Sequence, residues 1–242
     1  MSTTAPAAGK NAGLATVVDT VVSPADAFAR LRVVPTWGWA YVVTVVLAAI
    51  GAYLSIPATI HAMTASWPAQ MAASPQLAAA TPEQQQRALS FTLGALRFAW
   101  LFTPVTVLAG ALLQTLILLI FKAAGKGEAT FKQLFSLSMN TLVVGMGVYT
   151  LLAGVIAVVR GPAAYNSISD AMHAVPSLAW LVPHASIKLS AFLAAFNVAA
   201  IWGAVLIAIG MAAVARVSKA NAYASAATVM VLAGLYFAVS AK

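Results

Sequence analysis

Five carboxylates and three histidines are all this 242-residue chain offers for carboxylate or imidazole chemistry, and their spacing builds no site. Asp19, Asp26, Glu83, Glu128 and Asp170 lie before or between the long apolar runs, and His61, His173 and His184 lie in the interrupted stretches that separate those runs. There is no HExxH, no pair of acids inside an apolar run and no cysteine, so paired-carboxylate, zinc-hydrolase and thiolate chemistry lack their residues. A single histidine in such a stretch is read as a solvated or interfacial side chain rather than a ligand. No catalytic, metal-ligating or cofactor-binding residue is therefore expected. A proton-coupled pump is also disfavoured, because proton relays need ionisable groups at depth in the membrane.

The polar side chains left inside the apolar runs are uncharged: Gln114, Asn140, Tyr149 and Asn197, with Ser136, Ser138 and Thr150. Gln114 precedes Phe121 by seven residues and Asn140 follows Lys132 by eight, which puts both ~10–12 Å from the same boundary at 1.5 Å per residue. Two readings are open. These groups hydrogen-bond helix to helix, or they line a path for a lipid headgroup or a neutral solute.

The elements that must position them are membrane helices. Hydrophobic residues make up 62% of the chain and charged residues 7%, with a mean hydropathy of +0.92, whereas soluble domains carry about 25% charge. The net charge of +8 is scattered between apolar runs, which excludes a nucleic-acid footprint built on one face. The expected fold is all-α: a polytopic transmembrane bundle of five spans, at about 37–56, 98–121, 134–159, 190–214 and 223–240, occupying residues 37–242. Pro57 is read as closing the first span, with residues 57–80 as a loop. A helix starting at Pro82 is expected to run on into the second span. The fourth span carries a surface of small residues, Gly203, Ala204 and Gly210 among them, suited to close helix approach and central in the bundle.

Residues 1–36 read as a polar tail followed by two short interfacial helices. Leu14, Val17, Val18 and Val21 form one apolar stripe; Phe28 and Leu31 form another, beside Arg30 and Arg32, which are candidate lipid-surface contacts. No unbroken apolar core of a signal peptide occurs there, so the amino terminus is expected to be retained. With the amino terminus inside, Lys10, Arg30, Arg32, Lys122, Lys126, Lys132, Arg216 and Lys219 fall on the cytoplasmic side. Arg87, Arg97, Arg160, Lys188 and Lys242 fall outside. This bias predicts a multi-pass protein of the inner or plasma membrane with its carboxyl terminus outside.

Three pieces in order, VVSPADAFARLRVVPTWGWAYVV, FKQLFSLSMNTL and FNVAAIWGAVLIAIGMAAVARVSKANA, resemble the bacterial-type members of the Yip family, five-span proteins named for the Ypt-interacting proteins of eukaryotes. The resemblance implies a cytoplasmic amino-terminal region, five membrane helices and, in eukaryotes, work in vesicle membranes through Rab-type GTPases and partner Yip proteins. The amino-terminal region is short here, so a GTPase partner is not carried over. The expected role is a non-enzymatic, membrane-organising or partner-binding component. Its partners would be membrane lipids, other membrane proteins or further copies of itself. The alternative is a conduit for lipid or a small neutral solute.

Overall fold

In a computed structural model, which describes residues 12–167, 169, 170 and 173–241, the chain is a helical bundle whose ends differ in character. The tail Met1–Asn11, with Lys10, and the terminal Lys242 lie outside the described residues. Helices α1 (Ala12–Val22) and α2 (Pro24–Val33) lead into α3 (Gly38–Ala73). A turn, α4 (Pro75–Ala78), and a capped helix, α5 (Pro82–Phe98), then run through a 3-10 turn into α6 (Thr103–Ala124). Helix α7 (Phe131–Leu142) continues through a π-helical segment, Val143–Val148, into α8 (Tyr149–Arg160). Irregular chain follows to α9 (Ile187–Ala194), then α10 (Val198–Val214) and α11 (Lys219–Ser240).

Among the described residues, four continuous helical stretches have the length and apolarity to cross a membrane: Gly38–Ala73, Pro82–Ala124, Phe131–Arg160 and Lys219–Ser240. The expected fourth span, 190–214, is not one helix. It is divided at Ala195–Asn197 into α9 and α10. The first expected boundary is also corrected. Helix α3 passes through both Pro57 and Pro68 and ends at Ala73, so 57–73 is helix rather than loop.

A proline inside a helix removes one N–H and crowds the preceding turn. The flanking hydroxyls add bonds to nearby carbonyls: Ser55 to Gly51 and Thr59 to Ser55 at 2.9 Å, and Ser66 to Ala62 at 2.7 Å. Tertiary packing fixes the same stretch. Ala58 and Ala62 are buried with Ala157, Tyr165 and Ala174, and His61 Nδ1 donates to the Tyr165 carbonyl at 2.9 Å. At 36 and 43 residues, α3 and the α5–α6 rod are about 54 and 64 Å long, well beyond a ~30 Å hydrocarbon core. Their Pro57–Phe98 ends therefore reach past it.

The main core is organised around α10. Leu206, Ile207, Met211 and Val214 are buried together with Leu118 of α6, Leu134 and Leu137 of α7 and, from α2, Phe28 and Leu31. The apolar face of α2 is thus covered by protein, not by lipid as an interfacial helix would have it. Only one residue of the expected α1 stripe, Val17, is taken into the protein. The helix turns Thr16, Val17 and Thr20 inward and leaves Leu14, Val18 and Val21 exposed, so the expected stripe is split.

At one end of the bundle two turns interlock. Helices α6 and α10 end through Lys126 and Arg216, both left-handed at φ 52° and 56°, a conformation that costs L-residues ~1–2 kcal/mol. The Glu128 amide donates to the Ala215 carbonyl at 3.1 Å, tying the two turns together.

The tightest crossing joins α3 to α8. A Cβ on Gly51 would stand 2.2 Å from the Thr150 carbonyl oxygen, and one on Gly154 would stand 2.3 Å from the carbonyl oxygen of Gly51. Backbone atoms cannot swing aside as a flexible side chain can. Gly51→Ala and Gly154→Ala are each expected to lower unfolding free energy in detergent by ~1–3 kcal/mol. Gly94→Ala, where a Cβ meets nothing within 4 Å, should leave melting unchanged or raise it slightly. Equal melting of all three variants would show that this crossing is not a packing constraint.

Candidate functional site

The uncharged polar residues form a seam between α6, α7 and the segment joining α2 to α3. From α6, the buried Gln114 donates through Nε2 to Thr141 Oγ1 on α7 at 2.8 Å. One residue along α6, the Thr115 hydroxyl bonds the Ala111 carbonyl at 2.6 Å and the Ser138 hydroxyl on α7 at 3.0 Å. Asn140, fully buried, donates through Nδ2 to the carbonyls of Thr36 at 3.0 Å and Ser136 at 2.8 Å. Both neighbours are carbonyls, so the amide nitrogen must face them, which fixes the orientation of the side chain. Gln133, in the first turn of α7, donates to the Arg32 carbonyl at 2.5 Å. One face of α7 thereby holds α6, while two of its amides hold the α2–α3 connection.

Gln114 and Asn140, expected at matching depth, do share this seam, but they do not bond each other. Gln114 pairs instead with Thr141, the neighbour of Asn140. Asn140 Oδ1 and Thr36 Oγ1 are buried without a hydrogen-bond partner among the described residues, leaving two free acceptor positions in the seam.

Asn197 has a different task from the one its place in an apolar run suggests. Its Oδ1 accepts from the Ala200 amide at 3.0 Å, capping α10, and its backbone pairs with Ser177 in an isolated antiparallel bridge. Asparagine just before an apolar helical run is a helix-start signal, and that signal locates the break. Tyr149 is half-buried where α8 begins, packed against the main core and facing Ala191, Ala194 and Phe237.

The small residues of α10 meet different neighbours. Gly203 lies against the backbone of Gly145 in the π-helical segment, where a Cβ would be 3.4 Å from its Cα. A Cβ on Gly210 would come within 2.1 Å of Leu137 Cδ1, and Ala204 is buried beside them. All three are buried.

At the basic end, Arg30 pairs with Asp19, and Glu128 lies between Arg32 at 3.8 Å and Arg216 at 3.3 Å. These pairs are half-exposed, a setting in which an ion pair contributes ~0–1 kcal/mol. Both arginines proposed for lipid thus have acidic partners in the protein. Among the described residues, Lys122, Lys126, Lys132 and Lys219 have none.

Sequence reasoning missed one cluster with chemical capacity, at the opposite end. His173 Nε2 is 2.6 Å from Ser190 Oγ, and its Nδ1 is 3.2 Å from Ser169 Oγ. The nearby Asp170 carboxylate accepts from the Asn166 and Ser167 amides, both at 2.8 Å, so this histidine is oriented by a hydroxyl and not by an acid. No spacing signal links residues 169, 173 and 190; only the fold of the irregular segment against α9 joins them. Among the described residues no three His, Asp or Glu side chains gather as metal ligands.

Long apolar helices, a buried uncharged seam and basic turns define a multi-pass, all-helical integral membrane protein. The model of the Yip1 domain matches residues 18–241, nearly the whole chain, and the protein belongs to that family. No curated protein and no solved structure matches it.

Proposed function

We propose that the protein is a non-enzymatic, membrane-organising or partner-binding component of the Yip type, whose polar interior holds helices together. The observation that best supports this is the pairing of Gln114 with Thr141 and of Thr115 with Ser138 across α6 and α7. Groups engaged with each other across a helix interface act as connectors, whereas a lining must present free groups to a passing molecule. The competing reading, a conduit for lipid or neutral solute, draws on the unpartnered Asn140 Oδ1 and Thr36 Oγ1. Reconstitution into vesicles with a headgroup-accessibility assay separates the two. The organising reading predicts transbilayer lipid movement equal to that of empty vesicles; faster movement that Asn140→Leu abolishes would establish the conduit.

The basic end is proposed to face the cytoplasm, with five passes including the divided one, so that the carboxyl terminus lies outside. Lys122, Lys126, Lys132 and Lys219 then face anionic inner-leaflet lipid or the acidic surface of a membrane partner, contributing ~1 kcal/mol each near a charged bilayer. A GTPase partner is not part of this reading. An amine reagent that cannot cross membranes should modify these lysines in inside-out vesicles and spare them in intact cells. Modification in intact cells would reverse the orientation.

A further inference from the structure

A hollow of about 980 Å3 opens at the end of the bundle away from the basic turns. Four regions distant in sequence converge on it: the last turns of α3 with α4, the irregular segment around Ser167, the start of α9 and the end of α11. Most of its wall is apolar, from residues such as Ala69, Ala73, Ile187 and Ala191. Its polar groups are hydroxyls and amides, and among the described residues that line it none is Asp, Glu, Lys, Arg or His. Some of these polar groups are already engaged with one another, as in the 2.9 Å bond from Gln70 Nε2 to Ser66 Oγ.

Two features select the occupant. The first is charge. With no cation or anion among the described residues of the wall, an ionic metabolite would surrender its hydration for no opposite charge, a transfer that proteins avoid. A sugar-like solute would leave the alanine and isoleucine wall unused. The second is continuity with the bilayer. Ile187 lines the hollow and is itself 49% exposed, and beside it Leu189 on α9 and Tyr236 and Val239 on α11 present apolar surface outward. Exposed apolar surface on α9 and α11 thus leads from the membrane-spanning part of the bundle to the hollow, whose α3 wall lies in the part of that helix that extends past a ~30 Å core. The volume is at the upper end of ligand pockets, ~300–1,000 Å3, and suits a long flexible chain.

We propose that this hollow is a lipid site, taking the acyl chain and ester region of a membrane glycerolipid without regard to the charge of its headgroup. The chain packs on the alanine and isoleucine wall, and the ester oxygens meet the neutral hydroxyl and amide groups at its edge. No residue of α6 or α7 lines the hollow, so it is separate from the Gln114–Thr141 seam and the inference stands apart from the adaptor reading.

The test uses the full chain in phosphatidylcholine vesicles containing a trace of phosphatidylcholine with a diazirine at the end of one acyl chain. After irradiation, adducts are located by peptide mass spectrometry. The proposal predicts adducts concentrated between Ala69 and Leu77 and between Ile187 and Ala191. Ala73→Trp, and separately Ala69→Trp, should lower them by about fivefold or more, the equivalent of ~1 kcal/mol of lost occupancy. Ala69 and Ala73 are exposed, so both variants should fold, and unchanged adducts at the exposed Val158 and Val159 of α8 confirm that they do. A phosphatidylglycerol probe should label the hollow to within about twofold of phosphatidylcholine. Adducts no denser there than along α8, or undiminished by both tryptophans, would overturn the site. A preference of about tenfold or more for one headgroup charge would overturn its chemistry.

Discussion

Hydrogen bonding of polar groups that the bilayer cannot solvate is the constraint on which the rest of the structure depends. Lipid offers no partner to an amide or hydroxyl, so a group that finds one within the protein is strongly favoured there. Helix α7 carries most of that burden. Through Ser138 and Thr141 it joins α6, and through Gln133 and Asn140 it reaches the carbonyls of Arg32 and Thr36. Those two carbonyls bracket the connection between α2 and α3. Fixing it also fixes α2, whose Phe28 and Leu31 then enter the core built on α10. One amphipathic helix with a polar seam thus links the chain's amino-terminal helices to its membrane bundle.

Close approach is the second requirement, because lipid removes the hydrophobic drive that brings helices together in water. The Gly51–Gly154 crossing brings the α3 and α8 backbones into direct contact, and Gly203 meets Gly145 where α7 loosens into π-helix. The π segment displaces the register between α7 and α8. Helix α7 can therefore present its polar face to α6 while α8 presents Gly154 to α3.

Much of this was legible in the residues. Apolar runs gave the membrane class and most helix positions, the basic turns fell at one end, and the small surface on α10 is buried as expected. Several features were not legible, each for a physical reason. Pro57 and Pro68 read as stops because intrinsic propensity counts the missing N–H. It does not count the packing of Ala58 and Ala62 against Ala157 and Tyr165, which holds the helix through them. Asn197 read as an interhelical contact inside a long span, although its position before an apolar run is also that of a helix cap. Val17 was counted with the outward stripe of α1, but it turns in with the helix's threonine face, where Thr20 bonds the Thr16 carbonyl at 2.8 Å. The Ser169–His173–Ser190 cluster depends on long-range folding of an irregular segment and leaves no periodic trace.

The central claim is that the seam's polar side chains act as pairwise connectors between helices. A double-mutant cycle measures this directly: Gln114→Leu, Thr141→Val and the double variant, with unfolding free energies determined on the full chain in detergent. A connector predicts a coupling energy of ~0.6–1.7 kcal/mol between the two sites, the range found for hydrogen bonds between membrane helices. Additive effects, with a coupling energy near zero, would contradict the account.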